Sequence, residues 1–216
     1  MAILHISNGG STAGTLKASN IPGAHLVWDV ALVTGPTPLG LSDEAWIGVR
    51  ADHLAAAYGG EPLYLRNELA ELTLGLAGSL SYDEVVLWFE HDLFCQVNLL
   101  PLLSWFASHK GTTRLSLVCI DRFPGRKNFR GLGELSAGEL ESLFPSRCAV
   151  TGQMLALGAA AWTAYRSPSP QGIEDLLVGD TTPLPFLKSA LLCHLARFPS
   201  VENGLGQMEN TALDLG

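Results

Sequence analysis

The sequence predicts an α/β protein with a Rossmann-like open parallel sheet of about four or five strands and helices on both faces, followed by a C-terminal helical subdomain. Three observations lead there. Short apolar runs alternate with helix-spaced leucines through the first two-thirds of the chain. One run, Val85-Val86-Leu87-Trp88-Phe89, is apolar at every position, as a strand covered on both faces is. Beyond residue 135 the strand signal fades while helix signals continue.

Residues 2–6 form the first expected strand, stopped by Ser7-Asn8-Gly9-Gly10. A short helix over 11–19 follows, then a strand over 25–30 that ends in a loop rich in Gly and Pro. Ser42 ahead of Asp43 and Glu44 reads as an N-cap with acids in the first turn, and Gly59-Gly60 stops that helix near Tyr58. Pro62 opens the next helix, with Leu65, Leu69, Leu72 and Leu76 at helical spacing. The third strand covers 84–89 and meets Glu90-His91-Asp92. In the helix after it, Pro101 predicts a kink or a late start. The fourth strand covers 114–120. Further on, Ser136-Ala137-Gly138-Glu139 spells a capping box, and 155–165 reads as helix. Thr182-Pro183 opens a helix that Pro199 ends, and 203–216 reads as a partial helix. The expected division is 1–135 for the α/β domain and 136–216 for helices packed on it.

A hydrophobic fraction of 47% against 16% charged residues supplies ample core and excludes a disordered chain. The net charge of -8 disfavours broad nucleic-acid binding, although Arg122, Arg126, Lys127 and Arg130 form a local basic cluster. That cluster reads either as a phosphate clamp or as a solvated loop. Cys95, Cys119, Cys148 and Cys193 form no CxxC pair, and Cys119 sits in an apolar run as a small hydrophobe. No stretch approaches the ~20 apolar residues of a membrane span, and Met1 opens no secretory leader. A soluble cytoplasmic protein with no membrane partner is expected.

In an open parallel sheet the ligand crevice lies beyond the carboxyl ends of the strands. The first strand end offers His5, Asn8, Gly9, Gly10 and Ser11, the second Asp29, the third Glu90, His91 and Asp92, and the fourth Asp121 and Arg122. Asn8-Gly9-Gly10-Ser11 presents backbone N–H groups suited to an anion, or is simply a tight turn. It has neither a GxGxxG nor a Walker A spelling, so it specifies no particular nucleotide. Glu90 and Asp92 are the expected ligands of a divalent cation such as Mg or Mn, or act with His91 and His5 as acid and base. The plainer alternative has Asp92 capping a helix and Glu90 turned away along the pleat. Asp29 either orients His5 or His91 from within its strand or begins a loop. His194 beside an apolar helical stripe, and Trp28, Trp88, Trp105, Phe106 and Trp162, read as structural.

Several strings extend this reading: His5-Ile6-Ser7-Asn8-Gly9, Leu87-Trp88-Phe89-Glu90-His91-Asp92-Leu93-Phe94, Phe123-Pro124-Gly125, Leu184-Pro185-Phe186 and Asn203-Gly204-Leu205. Together they resemble a bacterial family catalogued as domain of unknown function number 1835, nearly end to end. The resemblance implies a bacterial cytoplasmic protein and carries no activity onto particular residues. Longer relatives of that family continue past the Asn-Gly-Leu string into a segment similar to a winged helix, so nucleic-acid binding is not expected of this chain alone. The expected function is binding of a phosphorylated or nucleotide-like small molecule at the strand ends, as a metal-assisted hydrolase or transferase. The alternative is a non-catalytic ligand-sensing or protein-interaction module.

Overall fold

In the computed structural model, which describes residues 1–109 and 111–215, five strands form one sheet. They are β1 (Ile3–Ser7), β2 (Ala24–Val27), β3 (Glu84–Glu90), β4 (Arg114–Ile120) and β5 (Cys148–Ala149), in the order β2-β1-β3-β4-β5. The first four are parallel, and β5 runs antiparallel to β4. The helices are α1 (Gly10–Lys17), α2 (Asp43–Tyr58), α3 (Pro62–Gly78), α4 (Leu93–Ser108), α5 (Ala137–Leu143), α6 (Gly152–Tyr165), α7 (Gln171–Val178), α8 (Leu187–Leu195) and α9 (Gln207–Asp214).

Side-chain alternation divides the core between the two faces of the sheet. Leu4, Ile6, Val85, Leu87, Phe89 and Leu117 point into a buried cluster with α4 and α6. Ile3, Val86, Trp88 and Val118 point the other way, onto Leu16 of α1 and Leu140 of α5. Both faces are thus covered by helices, which is why β3 is apolar without interruption between its terminal glutamates. The chain leaves β1 for β2 on one side and returns to β3 on the other. The crevice of an open α/β sheet lies at such a reversal, here between β1 and β3.

The structure departs from the sequence expectations in four places. β2 ends at Val27, and Asp29 is exposed on the loop beyond it rather than buried in the strand. α4 starts directly at Leu93, so the late start that Pro101 suggested does not occur, and the residues around Pro101 such as Leu99, Leu100, Leu102 and Leu103 are all buried. The segment after residue 135 adds β5 to the sheet and α7 to the helices, both unforeseen. Residues 182–186, with two prolines, form turns, so α8 begins only at Leu187. The C-terminal helix expectation is met by α9, while Gly216 lies outside the described residues. No described helix is long and apolar enough to cross a membrane.

The loop after β2 is pinned by buried Arg50 of α2, which donates to the carbonyls of Val30, Ala31, Thr34 and Pro36. Tyr165 adds a bond to Leu32 O at 2.8 Å and Arg197 one to Val33 O at 2.8 Å. This clamp brings Val33 to the carboxyl end of the sheet beside Asp92, where both line one cavity.

Candidate functional site

The carboxyl ends of β1 and β3 meet through Asn8. Its backbone N–H donates to Trp88 O at 3.2 Å, which sets it at the end of the β1–β3 pairing. Its side chain donates to Cys95 Sγ at 2.9 Å and accepts from Asn98 at 2.7 Å. Cys95 and Asn98 both lie on the first turns of α4, so Asn8 ties β1 to the start of that helix.

Glu90 ends β3 with its side chain buried on the α1 face. Oε1 accepts from Leu132 N–H at 2.7 Å and Oε2 from the Cys95 thiol at 2.6 Å. Its carbonyl accepts from Gln96 Nε2 at 2.7 Å. Burial pushes the Glu90 carboxyl above its ordinary value, and the bonds from Cys95 and Leu132 oppose that shift. Gly131 makes the Leu132 contact possible: a Cβ there would stand 2.9 Å from Glu90 Oε1. Burial, followed by the nearby Glu90 charge, pushes the Cys95 thiol up, so the thiol is a proton donor and not a nucleophile.

Asp92 is the N-cap of α4, with Oδ1 accepting from Cys95 N–H at 3.0 Å. Ligand atoms of Glu90, Asp92 and Cys95 all lie within 4.8 Å of one another. Asp92 also borders a cavity of about 680 Å³ walled by Val33, Phe94, Arg197 and Met208. His91 is half-buried against the edge of the Phe186 ring at 6.1 Å, and its Nδ1 has no partner among the described residues.

Gly9, Gly10 and Ser11 open α1 beside this cluster. Gly9 takes φ 123°, a left-handed conformation that favours glycine. Among the described residues no side chain caps α1, and no acid occupies its first turn, an arrangement that offers its leading N–H groups to an anion. The Ser11 hydroxyl is engaged, donating to Gly133 O at 2.9 Å. That bond holds the turn of residues 131–134 over the start of α1.

The structure therefore brings together Asn8, Gly9, Gly10, Ser11, Glu90, His91 and Asp92. Of the other four expected site residues, Asp121 follows β4 close enough to His91 to feel its charge, while no bond links His5, Asp29 or Arg122 to the cluster among the described residues. His5 is fully buried inside the sheet. Its Nδ1 accepts from Trp88 Nε1–H at 3.1 Å and its Nε2 faces Pro22 O at 3.3 Å, so it has no free nitrogen for proton transfer. Burial lowers its pKa to about 4. Asp29 bonds neither His5 nor His91 among the described residues. Arg122 is paired to its neighbour Asp121 through bonds of 3.0 and 3.1 Å, which also holds the Asp121 carboxyl below its usual value. Arg126 is likewise paired, with Glu139 at 2.8 Å, so the basic cluster is partly neutralised.

Cys95, Gln96 and Asn98 enter the site without having been expected there. The available signal was the placement of three polar side chains at the start of an otherwise apolar helix, one turn after Asp92. The Leu132 N–H is a backbone contact that no residue type advertises. No family model matches the chain, and no curated protein matches it.

Proposed function

We propose that this chain binds a phosphorylated or nucleotide-like small molecule at the carboxyl ends of β1 and β3, bridged to the protein by a divalent cation on Glu90, Asp92 and Cys95. The observation that carries this reading is the approach of three ligand atoms within 4.8 Å at the sheet's reversal point. The uncapped start of α1 supports it by offering N–H groups to the anion. The donor set fits a cation in two ways. Magnesium or manganese would use the two carboxylates, and zinc would also displace the thiol proton and take the sulfur. A bound cation would polarise a phosphoryl oxygen, the chemistry of a metal-assisted hydrolase or transferase. Asp92 would hold the ion at the cavity rim, and Asn8 would fix the position of Cys95.

The experiment is thermal unfolding with Mg²⁺, Mn²⁺ and Zn²⁺, alone and with a nucleotide or sugar phosphate. A cation at 100 times its dissociation constant stabilises by about 2.7 kcal/mol, and Glu90→Gln with Asp92→Asn should abolish the effect. Cys95→Ser should weaken the response to zinc and leave that to magnesium. Equal stabilisation of wild type and double variant would refute the cation site. A non-catalytic ligand-sensing module is the second reading. It is favoured by one observation, that both Glu90 oxygens are already bonded within the fold. It predicts ligand binding without turnover.

A further inference from the structure

A second cavity lies at the opposite end of the sheet from the crevice. It is a cleft of about 1040 Å³ where β3 and β4 begin, bounded by the end of α4, the start of α6 and the edge strand β5. Its volume is at the upper end of the ~300–1,000 Å³ range of small-molecule sites. Its walls are of two kinds. Leu80, Phe106, Leu155 and Ala156 supply an apolar side, and Glu84, Arg114, Arg147 and Ser116 supply a charged corner.

The charge in that corner does not balance. Glu84 is 3% exposed and accepts from Ser116 at 2.7 Å and from Arg147 Nε at 2.9 Å. Arg147 also lies over the Phe144 ring at 4.0 Å, so its orientation is fixed. Glu84 is therefore already satisfied, and the guanidinium bonds of Arg147 keep its carboxyl below the ordinary value. Arg114 reaches it only at 3.5 Å, with 62% of its own side chain exposed. Two guanidinium groups thus share one carboxylate, which leaves one positive charge facing the cleft of a chain whose net charge is -8. The nearby Asp83 carboxylate does not supply the missing partner, since it accepts from Ala2 N–H at 2.6 Å and faces the Met1 ammonium. The first N–H groups of α6 reinforce the positive corner, because Gly152 lines the cleft and Thr151 caps only Met154 N–H.

We propose that this cleft binds a small amphipathic anion, with a carboxylate or phosphate head at Arg114 and an apolar chain along Phe106, Leu155 and Ala156. A cationic corner selects the head, and burial of methylenes away from water holds the chain. The site is separate from the crevice at the carboxyl ends of the strands.

Titration calorimetry of the full chain with octanoate, octyl phosphate and octanol tests it. At least one of the two anions should bind saturably, and about ten-fold more tightly than octanol; the tighter anion identifies the head group. Arg114→Gln should remove that ten-fold preference, about 1.4 kcal/mol, and leave octanol unchanged. Ala156→Trp, at an exposed position on the cleft wall, should block all three, whereas Asp92→Asn should alter none. Absence of saturable binding by either anion, an equal response to octanol, or binding that survives Ala156→Trp would overturn the proposal.

Discussion

Asp92 carries two demands on one carboxylate. One oxygen caps α4 through Cys95 N–H, and the group also belongs to the cluster of ligand atoms with Glu90 and Cys95. The two demands separate by substitution. Asparagine caps about as well as aspartate, so Asp92→Asn should unfold in urea within roughly 0.5 kcal/mol of wild type. Asp92→Ala should cost about 1 kcal/mol, the ordinary loss of a cap. Both should lose the response to divalent cations. A loss in Asn as large as in Ala would mean that the charge, and not the cap, holds the start of α4. This residue was legible because Asp at a strand end ahead of an apolar run has only a few uses. His5 was legible only in part. Its position on β1 was readable, but its burial arises from Trp88 on the neighbouring strand and Pro22 from the following loop, contacts that local pattern does not encode.

Elements that repeat a pattern over several residues were readable, and those held by a few tertiary contacts were not. β3 and β4 each present seven residues, whereas β5 is two residues whose pairing to Ser116 and Leu117 leaves no periodicity. The α4–α6 contact was also hidden, because it depends on the absence of a side chain. A Cβ on Gly158 would stand 2.5 Å from Leu103 Cβ, so the two helices approach across a glycine. Gly14 in α1 is the contrasting case, with nothing within 4 Å of an added Cβ. Two alanine substitutions in helices should therefore have opposite signs. Gly14→Ala should stabilise by about 0.5–1 kcal/mol through propensity alone. Gly158→Ala should destabilise by about 1–3 kcal/mol, because overpacking a tight core outweighs the same propensity gain. Urea midpoints of the two variants check this, and stabilisation in both would mean that α4 and α6 can separate at no cost.

At the scale of the whole molecule the buried histidines decide how stability varies with pH. Trp88 Nε1–H occupies Nδ1 of His5, so the proton resides on Nε2 and the ring is neutral in the folded state. Its folded pKa is about 4, against 6.5 for the free group, with burial the main cause and His25 acting in the same direction. His194, tilted against Tyr165 and edge-on to Phe198, is lowered to about 4 as well, mainly by burial. Between those values the unfolded chain takes up protons that the folded chain does not. Stability is thus complete above pH 6.5 and falls as the pH drops toward 4, by at most about 1.4 kcal/mol per pH unit for a fully buried group such as His5. Glu84, whose folded pKa is depressed by Arg147, adds a loss of the same sign at lower pH. Glu90 opposes both, since its raised folded pKa lets the folded state bind a proton first and regain stability as pH falls. With three histidines lowered by burial, His25 included, against one raised carboxyl, the urea midpoint should fall from pH 6.5 to 4. His194→Phe removes one titrating group without removing a hydrogen-bonding partner from the fold, because His194 Nδ1 has none among the described residues. It should flatten the profile, whereas Glu90→Gln should steepen it by removing the opposing group. A midpoint unchanged between pH 7 and 4.5 in both wild type and Glu90→Gln, where the opposing carboxyl is gone, would mean that the Trp88–His5–Pro22 chain of hydrogen bonds does not hold in solution.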